Sequence, residues 1–168
     1  MNPYLADIKA IKKVAYTNQN VDDTMISSVL IRVQDILIRP ILGTTFYKRL
    51  LTGINDADLT ADESLLLKDY IFPVIASAVD MRILKPLSLQ IRAKTAGTTR
   101  DEHITPLSNM ERVEFEDQLR SDYEVYRNIL VGYLKDNYTL FTEYENFICN
   151  AENVSPQPKE TRTNIRFV

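Results

Sequence analysis

The chain has 168 residues, 45% hydrophobic and 26% charged, a balance that fits one globular domain with its own core. A net charge of −3 excludes a global basic field that would draw it onto nucleic acid, and a single cysteine, Cys149, excludes an internal disulfide. Lys68, Asp69, Asp80 and Arg82 interrupt the most apolar run, and Asp7, Lys9, Lys12 and Lys13 interrupt the N-terminus, so neither a membrane span nor a signal peptide is expected and the protein is expected to be soluble.

Ile8, Ile11 and Val14 recur at a spacing of three and predict a short helix over Ala6–Ala15, which Thr17–Asn20 should end. Asp22 or Asp23 suits the N-cap of the next helix. Its apolar face carries Ile26, Val29, Leu30, Val33, Ile36 and Leu37, while Arg32, Gln34 and Asp35 fall on the wet side. Pro40 should stop this helix near Ile38 or Arg39. Gly43 then permits a tight turn into a short helix with Phe46, Tyr47, Leu50 and Leu51, ended by Gly53. An acidic loop, Asn55–Asp62, leads to a capping box at Thr60–Glu63. The helix it opens should run to about Leu84, apolar on most sides, with a kink near Pro73.

After Pro86 the period changes. Leu87, Leu89, Ile91 and Ala93 alternate with polar residues, which predicts a strand, and Arg100–Thr105 would return as the second strand of a hairpin. Ser108–Glu111 is a second capping box, opening a long helix to about Asn137 with Met110, Val113, Leu119, Tyr123, Tyr126, Leu130, Tyr133 and Leu134 on a broad face. A short helix within Asn137–Asn150 should close the bundle. The predicted fold is mainly α, a bundle of about four to five helices with an inserted β-hairpin and an extended C-terminal tail. It divides into an N-terminal arm (1–20), a helical domain (21–150, hairpin near 87–105) and a tail (151–168).

No complete catalytic, metal or cofactor motif is present, and no enzyme activity, metal or cofactor is expected. The acids of Asn55–Glu63 lack the glycine and final glutamate of an EF-hand loop. His103 has no second histidine with which to share a metal, and Cys149 sits among aromatics without a histidine partner. The tyrosines of the long helix suit a core or an interface. Arg92, Lys94 and Arg100 bracket the expected hairpin tip, where they could meet phosphates or an acidic neighbour, or simply blunt exposed strand edges. In the tail, Ile165 and Phe167 would share one side of an extended segment with Val168 beside them, an anchor for a sheet edge or a groove unless the terminus frays.

The segments Asp35–Leu51 (DILIRPILGTTFYKRLL), Asp62–Val79 (DESLLLKDYIFPVIASAV) and Leu87–Gly97, with the long helix ending in Asp136–Phe147, resemble the head-to-tail connector proteins of tailed bacteriophages. The likeness is to the form found in crAss-like and other Bacteroidetes phages, and it spans roughly 21–147. It implies a structural virion protein at the head-tail junction, made in the host cytoplasm, in a homo-oligomeric, typically dodecameric ring. Such a ring stacks on the portal, extends the DNA channel and docks the tail, with double-stranded DNA passing without sequence specificity and no membrane involved. The hairpin would contact neighbours or line the channel, and the tail would reach another protein. The alternative is a helical adaptor or regulatory module binding a peptide or DNA as a monomer or dimer.

Overall fold

The N-terminal segment folds much as its spacing predicts, with helix α1 at Ile8–Val14 and Ile11 fully buried beneath it. The computed structural model describes residues 4–16, 21–95 and 109–144, with the backbone alone for 88–95 and Asn109. Helix α2, Asp23–Val33, starts at Asp22, whose carboxylate accepts the Thr24 N–H at 2.9 Å. That bond holds the Asp22 carboxyl below the usual carboxylate range.

The helix does not stop before Pro40. It widens into a π turn at Gln34–Ile38, continues as α3 (Arg39–Leu42) through the proline, and ends at Gly43. Pro40 has no N–H for the Ile36 carbonyl, and its ring would collide with that carbonyl in a regular α-helix. The π turn answers this by shifting the ladder, so that the Arg39 N–H donates to the Gln34 carbonyl, five residues back. The extra residue also moves the buried stripe. Leu30, Gln34, Ile38 and Leu42 are buried, Gln34 to 1% exposure, whereas Ile36, expected on the apolar face, is 59% exposed.

Gly43 sits at φ 76°, ψ 155°, a region open essentially to glycine alone. Its N–H donates to the Arg39 carbonyl at 2.9 Å and its own carbonyl accepts the Tyr47 N–H at 3.1 Å, so it closes α3 and opens α4 (Thr44–Asp56). Gly53 does not end α4. The stop is Ala57, in the left-handed conformation at φ 55°. Gly53 instead makes room for Leu59, whose Cδ2 lies 2.6 Å from where a Cβ would stand.

The capping box at Thr60–Glu63 opens α5 (Ala61–Leu65), with Thr60 Oγ1 accepting the Glu63 N–H and Glu63 Oε2 accepting the Thr60 N–H. A second π turn, Leu66–Ile71, follows directly and leads into α6, Phe72–Thr95. Here the device is repeated, with Pro73 just beyond the turn and the Phe72 N–H donating to the Leu67 carbonyl. The kink expected at Pro73 takes this form. Helix α6 continues through Pro86 to Thr95, so the expected strand at Leu87–Ala93 is helical, and among the described residues there is no hairpin. Ile83, Leu87 and Ile91 lie four apart, which suits a helix as well as the alternation suits a strand.

Helix α6 is central. Val74, Ile75, Ala78, Val79 and Ile83 are buried, and α6 packs most extensively against α7 (Asn109–Asp136) and α2. A 3₁₀ turn at Tyr138–Leu140 brings Phe141 and Tyr144 onto Phe46, at ring-centroid distances of 5.2 and 6.0 Å. The described part of the fold is thus mainly helical, layered as α2, α6 and α7, with α4 and the aromatic closure at one end. Replacing Gly43 by Ala should cost about 1–3 kcal/mol through backbone strain at a non-glycine residue, read as a lowered denaturation midpoint with an unchanged denaturant slope.

Candidate interaction surfaces

Two buried polar side chains hold the N-terminal segment to the bundle. Gln34 Oε1, on the buried line of Ile26 and Leu30 at the start of the first π turn, accepts the Leu5 N–H at 2.6 Å. Asp80 Oδ2, buried in the middle of α6, accepts the Tyr16 N–H at 3.0 Å. Between these two points Leu5, Ala6 and Ile11 pack into the core, and Lys12 donates to the Val21 carbonyl and pairs with Asp23. Backbone donors that would otherwise be buried and unmatched are thereby satisfied.

The α4–α5 corner carries a compact polar network. Arg49 Nη2 reaches the Asp58 carbonyl at 2.6 Å and Glu63 Oε2 at 3.1 Å, while Nη1 lies 3.5 Å from Asp58 Oδ2. Glu63 therefore joins the capping box to α4. Asn55 donates to the Leu51 carbonyl at 2.7 Å. The acidic loop is spent on helix ends and an arginine, and among the described residues there is no group of three or more metal-ligating side chains.

Between this corner and the N-terminal segment lies a cavity of about 350 Å³. Leu5, Ala6, Ala10, Leu59, Leu67 and Phe72 form its apolar wall, and Asp7, Ser64 and Lys68 stand at its edge. The cavity was not foreseen in the sequence, because its walls come from two separate segments, 5–10 and 59–72. Gln34 and Asp80 were not foreseen either; the signal available was a polar residue inside each of two apolar runs, VQDIL and AVDMR.

Helix α7 turns Leu119, Tyr123, Leu130 and Leu134 inward and stacks Tyr133 on Tyr70 at 3.8 Å. The broad apolar face expected of it is only partly covered. Met110, Val113 and Tyr126 are exposed, and Val125 and Ile129 are exposed at 55% and 51%, one turn apart. Gly132 continues their line with open space where a Cβ would be. Asp122, Asp136 and Lys135 border this stripe, and Glu124 pairs with Arg127 at 3.5 Å. At the end of the N-terminal segment Val14 and Tyr16 are likewise exposed, with Lys9 and Lys13 nearby in sequence and the Tyr16 ring edge-on to Phe115.

Burial pushes the phenols of Tyr47, Tyr123, Tyr133 and Tyr144 above their usual range. At Tyr133 the neighbouring Tyr70, Asp62 and Asp69 add to the effect, and at Tyr47 Asp35 does so against Arg39.

Of the residues singled out in the sequence, Arg92 and Lys94 are not at a hairpin tip. They belong to the last turn of α6. Arg100, His103, Cys149, Ile165, Phe167 and Val168 lie outside the described residues. No helix among the described residues is long and apolar enough to cross a membrane.

The described residues form a mainly helical domain with an exposed apolar stripe on α7 and an apolar groove beside α5. Residues 38–154 match the family of unknown function DUF6712, and the chain belongs to that family. No curated protein and no solved structure matches it. The matched stretch takes in α3 to α7 and leaves out α1, α2 and the last part of the tail.

Replacing Gln34 by Ala should cost about 1–3 kcal/mol, the penalty for stranding a buried donor, and hydrogen exchange should show the Leu5 amide losing protection. The tyrosines give a pH prediction. Their folded-state pKa values are raised above the unfolded value near 10, so their contribution is fully present below pH 10. It falls away as pH rises through 10 towards the folded values. Alkaline titration followed by phenolate absorbance should show Tyr47, Tyr123, Tyr133 and Tyr144 ionising late, together with unfolding.

Proposed function

We propose that the chain is a structural subunit of a head-to-tail connector ring, stacked on a portal at the head-tail junction of a virion. In this role it extends the DNA channel and docks the tail. The reading rests on the resemblance carried by Asp35–Leu51 and Asp62–Val79. The observation that carries it furthest is the uncovered stripe of Val125, Ile129 and Gly132 on α7. An exposed apolar line along the longest helix is what a subunit shows when its neighbour is removed.

A ring needs two different patches that meet head to tail. The α7 stripe and the Val14–Tyr16 end of the N-terminal segment are two different exposed apolar patches, as such a pair would be. The net negative charge suits a conduit that lets DNA slide. Of the Pro40–Gly43 break, Leu42 and Gly43 are buried and act as scaffold, while Pro40 is exposed and Ile41 half-buried, and function resides in the exposed helix faces and the tail. The adaptor reading draws support from the apolar cavity, which has the character of a peptide pocket.

Light scattering and electron microscopy of the purified protein separate the two readings. The connector gives annular particles, alone or on addition of a portal, and Ile129→Glu should return it to monomer mass with helical content unchanged. A compact monomer that binds duplex DNA with steep salt dependence would overturn the connector reading.

A further inference from the structure

We infer that the open groove beside α5 is the seat for the α7 ridge of a second copy of this chain, with Val125 and Ile129 entering it and Asp122 meeting Lys68. The inference rests on the ring reading and names the surface that receives the stripe. The groove is concave, walled by Leu5, Ala6, Ala10, Leu59, Leu67 and Phe72. The stripe is convex. Asp122, Val125, Ile129 and Gly132 follow one another at spacings of three and four, which makes them one ridge of α7. Rows at such spacings are the ridges by which helices pack into grooves. Val125 and Ile129 are more than half exposed, and Gly132 leaves open space that a wall of the groove can enter.

The fold keeps the two patches apart within one molecule. Tyr70, in the second π turn, stacks on Tyr133 of α7 at 3.8 Å, whereas Lys68, two residues earlier, stands at the groove edge. Positions two apart on a helix point to nearly opposite sides. The groove therefore faces away from α7, and the ridge cannot reach its own seat. Two different patches that only another copy can cover make a heterologous contact, which repeats from copy to copy and forms a ring when the rotation closes.

Charge gives the contact a direction. Among the described residues neither Asp122 nor Lys68 makes an ion pair, whereas Glu124 pairs with Arg127. The groove edge also carries Asp7, and beyond Gly132 the ridge ends in Lys135 and Asp136, adjacent and opposite in sign. Asp122 is attracted by Lys68 and repelled by Asp7, so the ridge lies with its Asp122 end on the Lys68 side. Pairs of this kind fix register and exclude the reversed arrangement.

The test is disulfide formation between two forms of the full chain produced together, both carrying Cys149→Ser. One form carries Ser64→Cys at the groove edge and the other Asn128→Cys, exposed beside Ile129. The expected result is a mixed disulfide that forms at least tenfold faster than when Ser64→Cys is exchanged for Ser28→Cys on the exposed side of α2. Asp122→Lys in the second form should slow the reaction at least threefold, and Lys68→Glu added to the first should restore it. Rings in which position 64 reacts no faster than position 28, or in which the charge exchange fails to restore the rate, would overturn the inference and leave the ring reading standing. A fast reaction at Val14→Cys with a slow one at position 64 would do the same, by giving the stripe to the other end of the N-terminal segment. Monomers that form no mixed disulfide at any of these positions, with or without a portal, would overturn both.

Discussion

A proline inside a helix withholds one hydrogen bond and drives its ring against the carbonyl four residues back, and this chain builds two of its three long helical runs, those that lead into α3 and α6, around that conflict. At Pro40 and again at Pro73 the backbone widens into a π turn just ahead of the ring, so the helix survives with a changed phase. The buried positions follow the new phase: Leu30, Gln34, Ile38 and Leu42 in the first run, Leu66 and then Ile71, five residues on, in the second. Because α2 and α6 pack on each other, a shift in either phase would present the wrong side chains to the shared core. The two π turns therefore set the registry of the bundle, and the glycine at 43 turns the chain once that registry has been used.

The polar anchors sit on the buried lines of the helices. Gln34 follows Ile26 and Leu30 at spacings of four, its N–H still bonded to the Leu30 carbonyl, and its amide oxygen meets the backbone of the N-terminal segment where the first π turn begins. Asp80 does the same from the centre of α6. The corner formed by Arg49, Glu63 and Thr60 fixes α5 against α4 and so sets the entry to the second π turn. Polar groups here act as locators, each placing a segment that apolar packing alone would leave free to slide.

Much of this was legible in the residues and some was not, for physical reasons. The Asp22 cap and the Thr60–Glu63 box were readable because side-chain capping is local. The core of α6 was readable because a helix buried on most sides is apolar whatever its phase. Ile36 was misplaced because a periodicity of 3.6 cannot anticipate an inserted residue, and Gln34 because its polarity was read ahead of its spacing of four from Leu30 and Ile26. The segment after Pro86 reads equally well with period two or as a line of every fourth residue, and the extension of α6 decides for the helix. The cavity is a tertiary object with walls from distant segments, and no local pattern encodes it.

Gln34 and Asp80 both accept main-chain N–H groups, those of Leu5 and Tyr16. Such a grip is indifferent to which residue supplies the amide. The outward positions Lys9 and Lys13 are thus released from any part in these two bonds. Only proline, which has no N–H, is forbidden at 5 and 16 on this account. The segment is a mount whose fixings are separate from its face, so its outward chemistry can drift to suit a new neighbour while its seat stays the same.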